Sequence, residues 1–237
     1  MRALVLEGAR AMGIPMTQAQ AEQFERYHAL LLEANARMNL TRVPDDPREA
    51  VDRNYLDCIA PLADGFPAVS TAVDVGSGAG FPGIPLSIML PDTRFTLIDS
   101  LGKRVEFLQS VIDTLGLNAR ALHLRAEDAA RRPELREQFD LATARAVAPM
   151  NVLCEYLLPF VKVGGHALAL KGPGADEELA CAEGALALLG GAAERVSALR
   201  IPGRDWDHRA VWLNKAAPTP DAYPRRAGGP EKKPLSK

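Results

Sequence analysis

Four glycines stand within eight residues, at Gly76, Gly78, Gly80 and Gly83, with one acid before them at Asp74 and another after them at Asp99. Glycines between a strand and a helix let the chain take positive φ and let a ligand approach the backbone with no Cβ in the way. The helix start behind them offers unpaired N–H groups. The pattern is a nucleotide-type binding turn, and two ligands compete for it. Gly78-x-Gly80-x-x-Gly83, with Asp99 nineteen residues after Gly80, has the spacing of a dinucleotide fingerprint, which would make the chain an NAD-dependent oxidoreductase. The earlier register, Asp74-x-Gly76-x-Gly78-x-Gly80, puts a carboxylate at the turn, where a pyrophosphate would be repelled. S-adenosylmethionine has no phosphate and carries an ammonium and a sulfonium, so the acid suits it, and the methyl donor is the favoured ligand. The alternative for Asp74 is a strand-end residue that caps a neighbouring loop.

Further chemistry-bearing residues follow at regular intervals. Asp99 closes an apolar stretch at 94–99, where a carboxylate accepts both hydroxyls of an adenosine ribose; capping the next helix is the plainer role. Glu127, in Arg125-Ala126-Glu127-Asp128, follows a third strand at 119–124 and is placed to meet an adenine amino group, or else is a solvated loop charge. Arg145 ends a strand at 139–145, and Lys171 follows one at 166–170. Asp74, Asp99, Glu127, Arg145 and Lys171 thus all fall at strand ends, where ligands of open α/β sheets bind. Cys58, Cys154 and Cys181 lie far apart, and His28, His123, His166 and His208 have no metal spacing, so no metal is expected.

The elements that must position these residues alternate. A buried strand is expected at 71–75 and a helix opening at Pro85. A helix at 103–115 carries a one-sided apolar stripe (Val105, Leu108, Val111, Ile112, Leu115) that Gly116 stops. Beyond Arg145 come a helix at 152–160, a turn at Gly164-Gly165, a helix at 176–189 and strands at 194–200 and 210–214. Such alternation means an α/β fold with a mainly parallel sheet covered on both faces. Ahead of it, Thr17-x-x-Gln20 is a capping box for a helix to about residue 35, and Asp45-Asp46-Pro47 opens another over 49–60. The division is a helical cap at 1–65, a binding domain at 66–216 and a basic, proline-rich tail at 217–237.

The formal net charge of -2 argues against a generally sticky nucleic-acid binder. From Gly203 onward, however, eight Lys/Arg face four Asp/Glu. The segment Tyr223-Pro224-Arg225-Arg226 through Lys232-Lys233 is too polar to fold alone and is suited to phosphate contact, though a solubilising tail has the same composition. No apolar run is long enough to span a bilayer and no secretory segment is visible, so a cytoplasmic protein with reduced thiols, independent of membranes, is expected.

The sequence resembles the bacterial GidB/RsmG family, methyltransferases acting on a guanine N7 of 16S ribosomal RNA. The resemblance is carried by Met38-Asn39-Leu40-Thr41, Asp74 through Pro85, Asp99-Ser100-x-x-Lys103-Arg104-x-x-Phe107-Leu108, Arg125-Ala126-Glu127, Arg145-Ala146, Lys171-Gly172 and Tyr223-Pro224-Arg225. The Phe81-Pro82-Gly83-Ile84-Pro85 extension is far more specific than the glycine turn alone. The resemblance implies a Rossmann-like class I fold with a seven-stranded sheet and an N-terminal helical extension. It implies S-adenosylmethionine as donor and 16S rRNA or the small ribosomal subunit as partner, the family target being guanine 527; separately, the chain is expected to act as a monomer. Position by position it assigns Gly76 and Phe81, with Gly78 and Gly80, to the donor pocket, Asp99 to the ribose, Ala126-Glu127 to adenine and Arg145 to the methyl-transfer site; Asp74, on the charge argument above, and Arg145 are also expected to contact the donor. It also places the helical region and the tail on the RNA side. One departure stands in Arg53-Asn54-Tyr55-Leu56-Asp57-Cys58, where relatives usually have histidine at the second place and serine at the last.

The chemistry matches what is missing. Guanine N7 has a free lone pair and no proton to lose, so attack on a methyl group needs neither a general base nor a nucleophilic cysteine. Rate enhancement then comes from alignment and electrostatics, with Arg145 and Lys171 positioning the RNA or the base. An oxidoreductase would need a proton-transfer residue at the cleft, which the sequence does not show. A donor-binding module without catalysis remains the third reading.

Overall fold

The computed structural model describes residues 1–235. Seven strands, β1 (Thr71–Val75), β2 (Arg94–Asp99), β3 (Ala119–His123), β4 (Phe139–Arg145), β5 (Val161–Lys171), β6 (Gly191–Ala198) and β7 (Arg209–Lys215), form one sheet in the order β3-β2-β1-β4-β5-β7-β6. The first five run parallel, and β7 is antiparallel to both its neighbours. From β1 the chain moves outward through β2 to β3, then returns to place β4 on the other side of β1. The ends of β1 and β4 therefore flank the switch point of the sheet, where connections lead away on both sides and leave a crevice.

Side chains alternate across the strands and fill two cores. Ala72, Leu141, Leu168 and Leu170 face one layer; Val73, Val75, Ala142, Ala144, Ala167 and Ala169 face the other. The second layer is made by α8 (Met150–Leu157), α9 (Ala175–Cys181) and α10 (Glu183–Leu189), with a short α7 (Ala126–Ala129) beside β3. The first layer holds α5 (Gly83–Met89), α6 (Gly102–Leu115) and the N-terminal helices.

Those N-terminal helices buttress the glycine turn directly. The expected capping box of Thr17 and Gln20 opens α2 (Gln18–Met38). Phe24, Tyr27 and Leu31 on its inner face are fully buried. The Tyr27 hydroxyl donates to the Ala79 carbonyl at 2.6 Å, inside the turn. Gln20 and Gln23 donate to Ile88 O and Leu115 O, both at 3.0 Å, satisfying carbonyls at the ends of α5 and α6. A further helix, α1 (Arg2–Ala11), packs on α2 and brings Gly8 so close to Leu56 that a Cβ there would lie 2.1 Å from Leu56 Cδ1.

Other boundaries shift for physical reasons. The helix expected over 49–60 is α3 (Pro47–Val51), a wider π-helical turn at Asp52–Leu56, α4 (Asp57–Ile59) and a tight 3-10 turn at Ala60–Ala63. The single helix expected over 176–189 is two, divided at Ala182. Gly164-Gly165 is no turn between elements. Strand β5 runs through it with a break in register opposite Phe139–Leu141, Gly164 taking φ +85°.

The C-terminal segment does not stand off as a polar tail. Glu155, with no solvent exposure, binds the Arg225 guanidinium through Nε at 3.0 Å and Nη2 at 2.6 Å, and accepts the Arg225 N–H at 2.6 Å. Arg136 donates to Thr219 O and Tyr223 O at 2.7 and 2.8 Å, and Arg131 to Pro224 O at 2.5 Å. A short helix, α11 (Gly229–Lys232), follows against α8. Tyr223 and Leu235 pack against the second core and Pro224 and Pro230 are buried, while arginines of the body satisfy the segment's carbonyls.

Candidate functional site

At the carboxyl ends of β1, β2 and β3 lies a cavity of about 280 Å³. Its floor is Val75, Gly76, Ile98 and Asp99, and one wall is Leu124 to Glu127. Ala146, Val147 and Tyr156 close a second side, Arg104 stands at the rim, and Gly228 and Glu231 of the C-terminal segment line it as well. A neighbouring cavity of about 350 Å³ lies over β4 and β5, lined by Arg53, Asn54, Asp57, Arg145, Lys171, Glu178 and His208. Ala146 belongs to both, and its φ of +54° turns the chain sharply between them.

The glycine turn shapes the first cavity. Gly76 takes φ +71°, and a Cβ on it would come within 2.9 Å of Val147, so only glycine leaves this floor open. Asp99, 4 % exposed, accepts Gly78 N–H on Oδ2 and Leu101 N–H on Oδ1, both at 2.9 Å, with Arg104 3.6 Å away. Each oxygen keeps a second lone pair for a ligand hydroxyl. The Glu127 carboxylate accepts the Gly228 N–H on Oε1 at 2.8 Å, while its Oε2 has no protein partner among the described residues. A fixed, open acceptor in a narrow cavity is suited to an amino group.

Not every sequence candidate reaches this cavity. Asp74 does not line it, because strand alternation turns its side chain the other way, under α5 on the face that α6 and the N-terminal helices also cover. There it has no solvent exposure, Oδ2 accepts Gly83 N–H at 3.2 Å, and Oδ1 is unpartnered. Burial pushes its pKa up to about 7 against the opposing pull of Gly83 N–H and Arg145. The loop-capping alternative is thus what the geometry shows. It still bears on the choice of ligand: the start of α5, which a dinucleotide would need for its pyrophosphate, is already taken by the chain's own carboxylate. Gly78 acts through Asp99. Gly80, at φ +104°, lies between Tyr27 and Ile84, and Phe81 is buried beneath Arg145.

Arg145 and Lys171 both line the second cavity, and both are held. The Arg145 guanidinium lies 4.6 Å from the Phe81 ring centroid and donates to Arg53 O at 3.0 Å and Asp57 Oδ2 at 3.3 Å. The other oxygen of Asp57 meets His208 Nδ1 at 2.7 Å. Lys171 donates to Ala148 O at 3.0 Å and pairs with Glu178 at 2.7 Å, and Glu178 accepts the Met150 N–H at 2.9 Å. Lys171 therefore braces the loop after β4 rather than standing free. Nothing in the sequence singled out Asp57, His208, Tyr156 or Glu231, since each gains its place from an element remote in the chain.

None of the cysteines lines either cavity, although Cys58 lies close enough to Arg145 to feel its charge. Cys58 and Cys154 are buried, and burial pushes both thiols up to about 12; Cys181 is exposed at the end of α9. Among the described residues no cluster of His, Cys, Asp or Glu is placed to hold a metal ion, and no helix is long and apolar enough to cross a membrane.

Solved structures share the fold. A branched-chain polyamine synthase mutein from Thermus thermophilus superposes with a TM-score of 0.57 at 13% identity, covering 85% of this chain and 64% of that one. The Methanococcus jannaschii fibrillarin pre-rRNA processing protein gives 0.52 at 14%, over 67% of this chain and 74% of that one. Sequence relatives reach further. The protein named ribosomal RNA small subunit methyltransferase G from Clostridium perfringens (strain 13 / Type A) is 44% identical over 234 residues, 98% of each chain. That of Lactobacillus johnsonii is 47% identical over 227 residues, 94% of this chain and 95% of its own. The GidB family profile, described as rRNA small subunit methyltransferase G, matches residues 20–206. With two cavities meeting at Ala146 on a Rossmann-like sheet and likeness of this extent, the chain belongs to the GidB family of ribosomal RNA small subunit methyltransferases.

Proposed function

We propose that this chain transfers a methyl group from S-adenosylmethionine to N7 of a guanine in 16S rRNA, guanine 527 by family analogy. The observation that carries the reading is the pair of cavities joined at Ala146, one suited to an adenosine and one open to an incoming base. The donor supplies an electrophilic methyl on a sulfonium. The chain's own residues bind and align. Asp99 accepts the ribose hydroxyls, Glu127 Oε2 and the Ala126 backbone meet adenine, and Gly76 admits the donor against the floor. The unoccupied lone pairs of Asp99 and the open Oε2 of Glu127 fit such a ligand.

Arg145, fixed on Phe81 and Asp57, sits where the base must approach. It holds the RNA or the base in line with the methyl group. Lys171 acts one step removed, keeping the loop from Ala146 to Met150 in place through Ala148 and Glu178. Neither general base nor thiolate is called for, in keeping with two buried thiols whose pKa lies far above neutral. The acceptor is the small subunit or its rRNA, met in the cytoplasm by a monomer.

The test is to incubate the protein with isotopically labelled S-adenosylmethionine and small-subunit material lacking the modification, then map the labelled nucleotide. Label at a guanine N7 establishes donor, reaction and acceptor together. Donor binding without transfer to subunits or naked rRNA would leave a donor-binding module.

A further inference from the structure

We propose that the C-terminal segment is a working wall of the donor pocket, with Gly228 as a positioning residue and the Arg225–Glu155 pair as its anchor. This rests on the donor reading above and goes beyond it, because composition alone would give the segment only a role toward RNA or solvent.

The connection runs from the anchor to the ligand in three contacts. Arg225 is locked onto fully buried Glu155 through both oxygens, and its Nη1 donates to Lys233 O at 2.7 Å, closing the segment into a loop. Within that loop Gly228, at φ +74°, directs its N–H onto Glu127 Oε1. That bond settles which oxygen of Glu127 is left for a ligand. On α11, Glu231 bonds the Tyr156 hydroxyl at 3.3 Å, so the segment spans the cavity from Glu127 on one wall to Tyr156 on the other. Without it the cavity would lose a wall, and the Glu127 carboxylate would regain solvent and rotamer freedom. At the pocket the segment contacts Glu127, read above as the adenine acceptor, and Tyr156, so its effect is expected on the adenosine half of the donor.

Binding linkage adds a reciprocal consequence: if the segment strengthens donor binding, the donor must hold the segment down by the same factor. Arg226 is exposed, so the Arg226–Ala227 bond reports that state to trypsin.

The experiment uses the full chain and two probes, S-adenosylmethionine and 5'-methylthioadenosine, which lacks the amino-acid half. Calorimetry compares wild type with Glu231→Ala and with the pair Glu155→Met and Arg225→Met, which removes both anchor charges together and leaves neither unpaired. The variants are expected to bind both probes about tenfold more weakly, the factor for losing one hydrogen bond to a charged group, with unchanged circular dichroism. Saturating S-adenosylmethionine is expected to slow tryptic cleavage after Arg226 in the wild type. Folded variants with wild-type affinity, or cleavage indifferent to the donor, would overturn the proposal while leaving the donor reading intact. A wild type that binds neither probe would overturn the donor reading, and this one with it. Should the double variant fail to fold, Glu231→Ala and the cleavage rate still decide.

Discussion

The Arg145 guanidinium lies over the Phe81 ring, 4.6 Å from its centroid, and reaches past it to Asp57. Strand β4 and the glycine turn are thereby tied together at the one place where the two cavities meet. Replacing Arg145 with alanine removes the cation–π contact and leaves a carboxylate that is 7 % exposed with only His208 as partner. Arg145→Ala is expected to destabilise the fold by about 3 kcal/mol, the low end for breaking a buried ion pair, as read by urea denaturation. Turnover on RNA should fall far more than donor affinity. Equal turnover by mutant and wild type would remove Arg145 from the transfer site.

Asp99 ties the glycine turn to the cavity floor. Asp99→Ala is expected to weaken S-adenosylmethionine binding by about 1.5–3 kcal/mol, the range for hydrogen bonds to a charged group. The loss includes slack in the turn, since Gly78 and Leu101 lose their acceptor. An unchanged calorimetric affinity would exclude Asp99 from the ribose site.

Asp74 gives a pH signature. Its carboxyl is raised by burial to about 7, whereas the unfolded chain releases that proton near the ordinary value of 3.8. Between about pH 4 and pH 7 the folded state holds a proton that the unfolded state lacks, so stability falls as pH rises through this window and levels off above it. A displacement of roughly three units corresponds to at most about 4 kcal/mol. Asp74→Asn keeps an acceptor for Gly83 and cannot ionise. Its stability advantage over wild type is expected to grow from near zero at pH 4 to a few kcal/mol at pH 8. Parallel pH profiles from chemical denaturation would mean that Asp74 ionises like an exposed acid.

The thiols offer a simple check on the mechanism. Cys181 is exposed, while Cys58 and Cys154 are buried, with pKa pushed up to about 12. Mass spectrometry after brief alkylation at pH 8 is expected to find label on Cys181 alone, with methyl transfer unaffected. Loss of transfer on labelling Cys181 would contradict a mechanism without a thiol.

The parts of this molecule legible in its sequence are those fixed by short-range signals. Thr17 and Gln20 cap a helix within one turn of chain, and the alternation around Val73 and Leu97 marks buried strands. The glycines with Asp99 and Ala126-Glu127 sit at strand ends that follow from that alternation. Asp74 differs from its expected place by a single step of the same alternation: at the fourth residue of β1 its side chain turns under α5, away from the cavity. Helix α1 is hard to read from sequence because Gly8 interrupts its helical pattern, and packing against Leu56 explains the glycine. The C-terminal segment reads as disordered because composition counts apolar burial and misses carbonyls captured by Arg131 and Arg136. His208 and Asp57, 151 residues apart, meet through topology alone.

The bond between Gly228 and Glu127 joins residues 101 positions apart, across the whole second half of the sheet. During synthesis the glycine turn, Asp99 and Glu127 leave the ribosome long before residue 228 is translated. A nascent chain can build its sheet and still lack one side of the ligand site. The part of the site carried by the first strands is therefore synthesised well before the wall formed by Gly228 and Glu231.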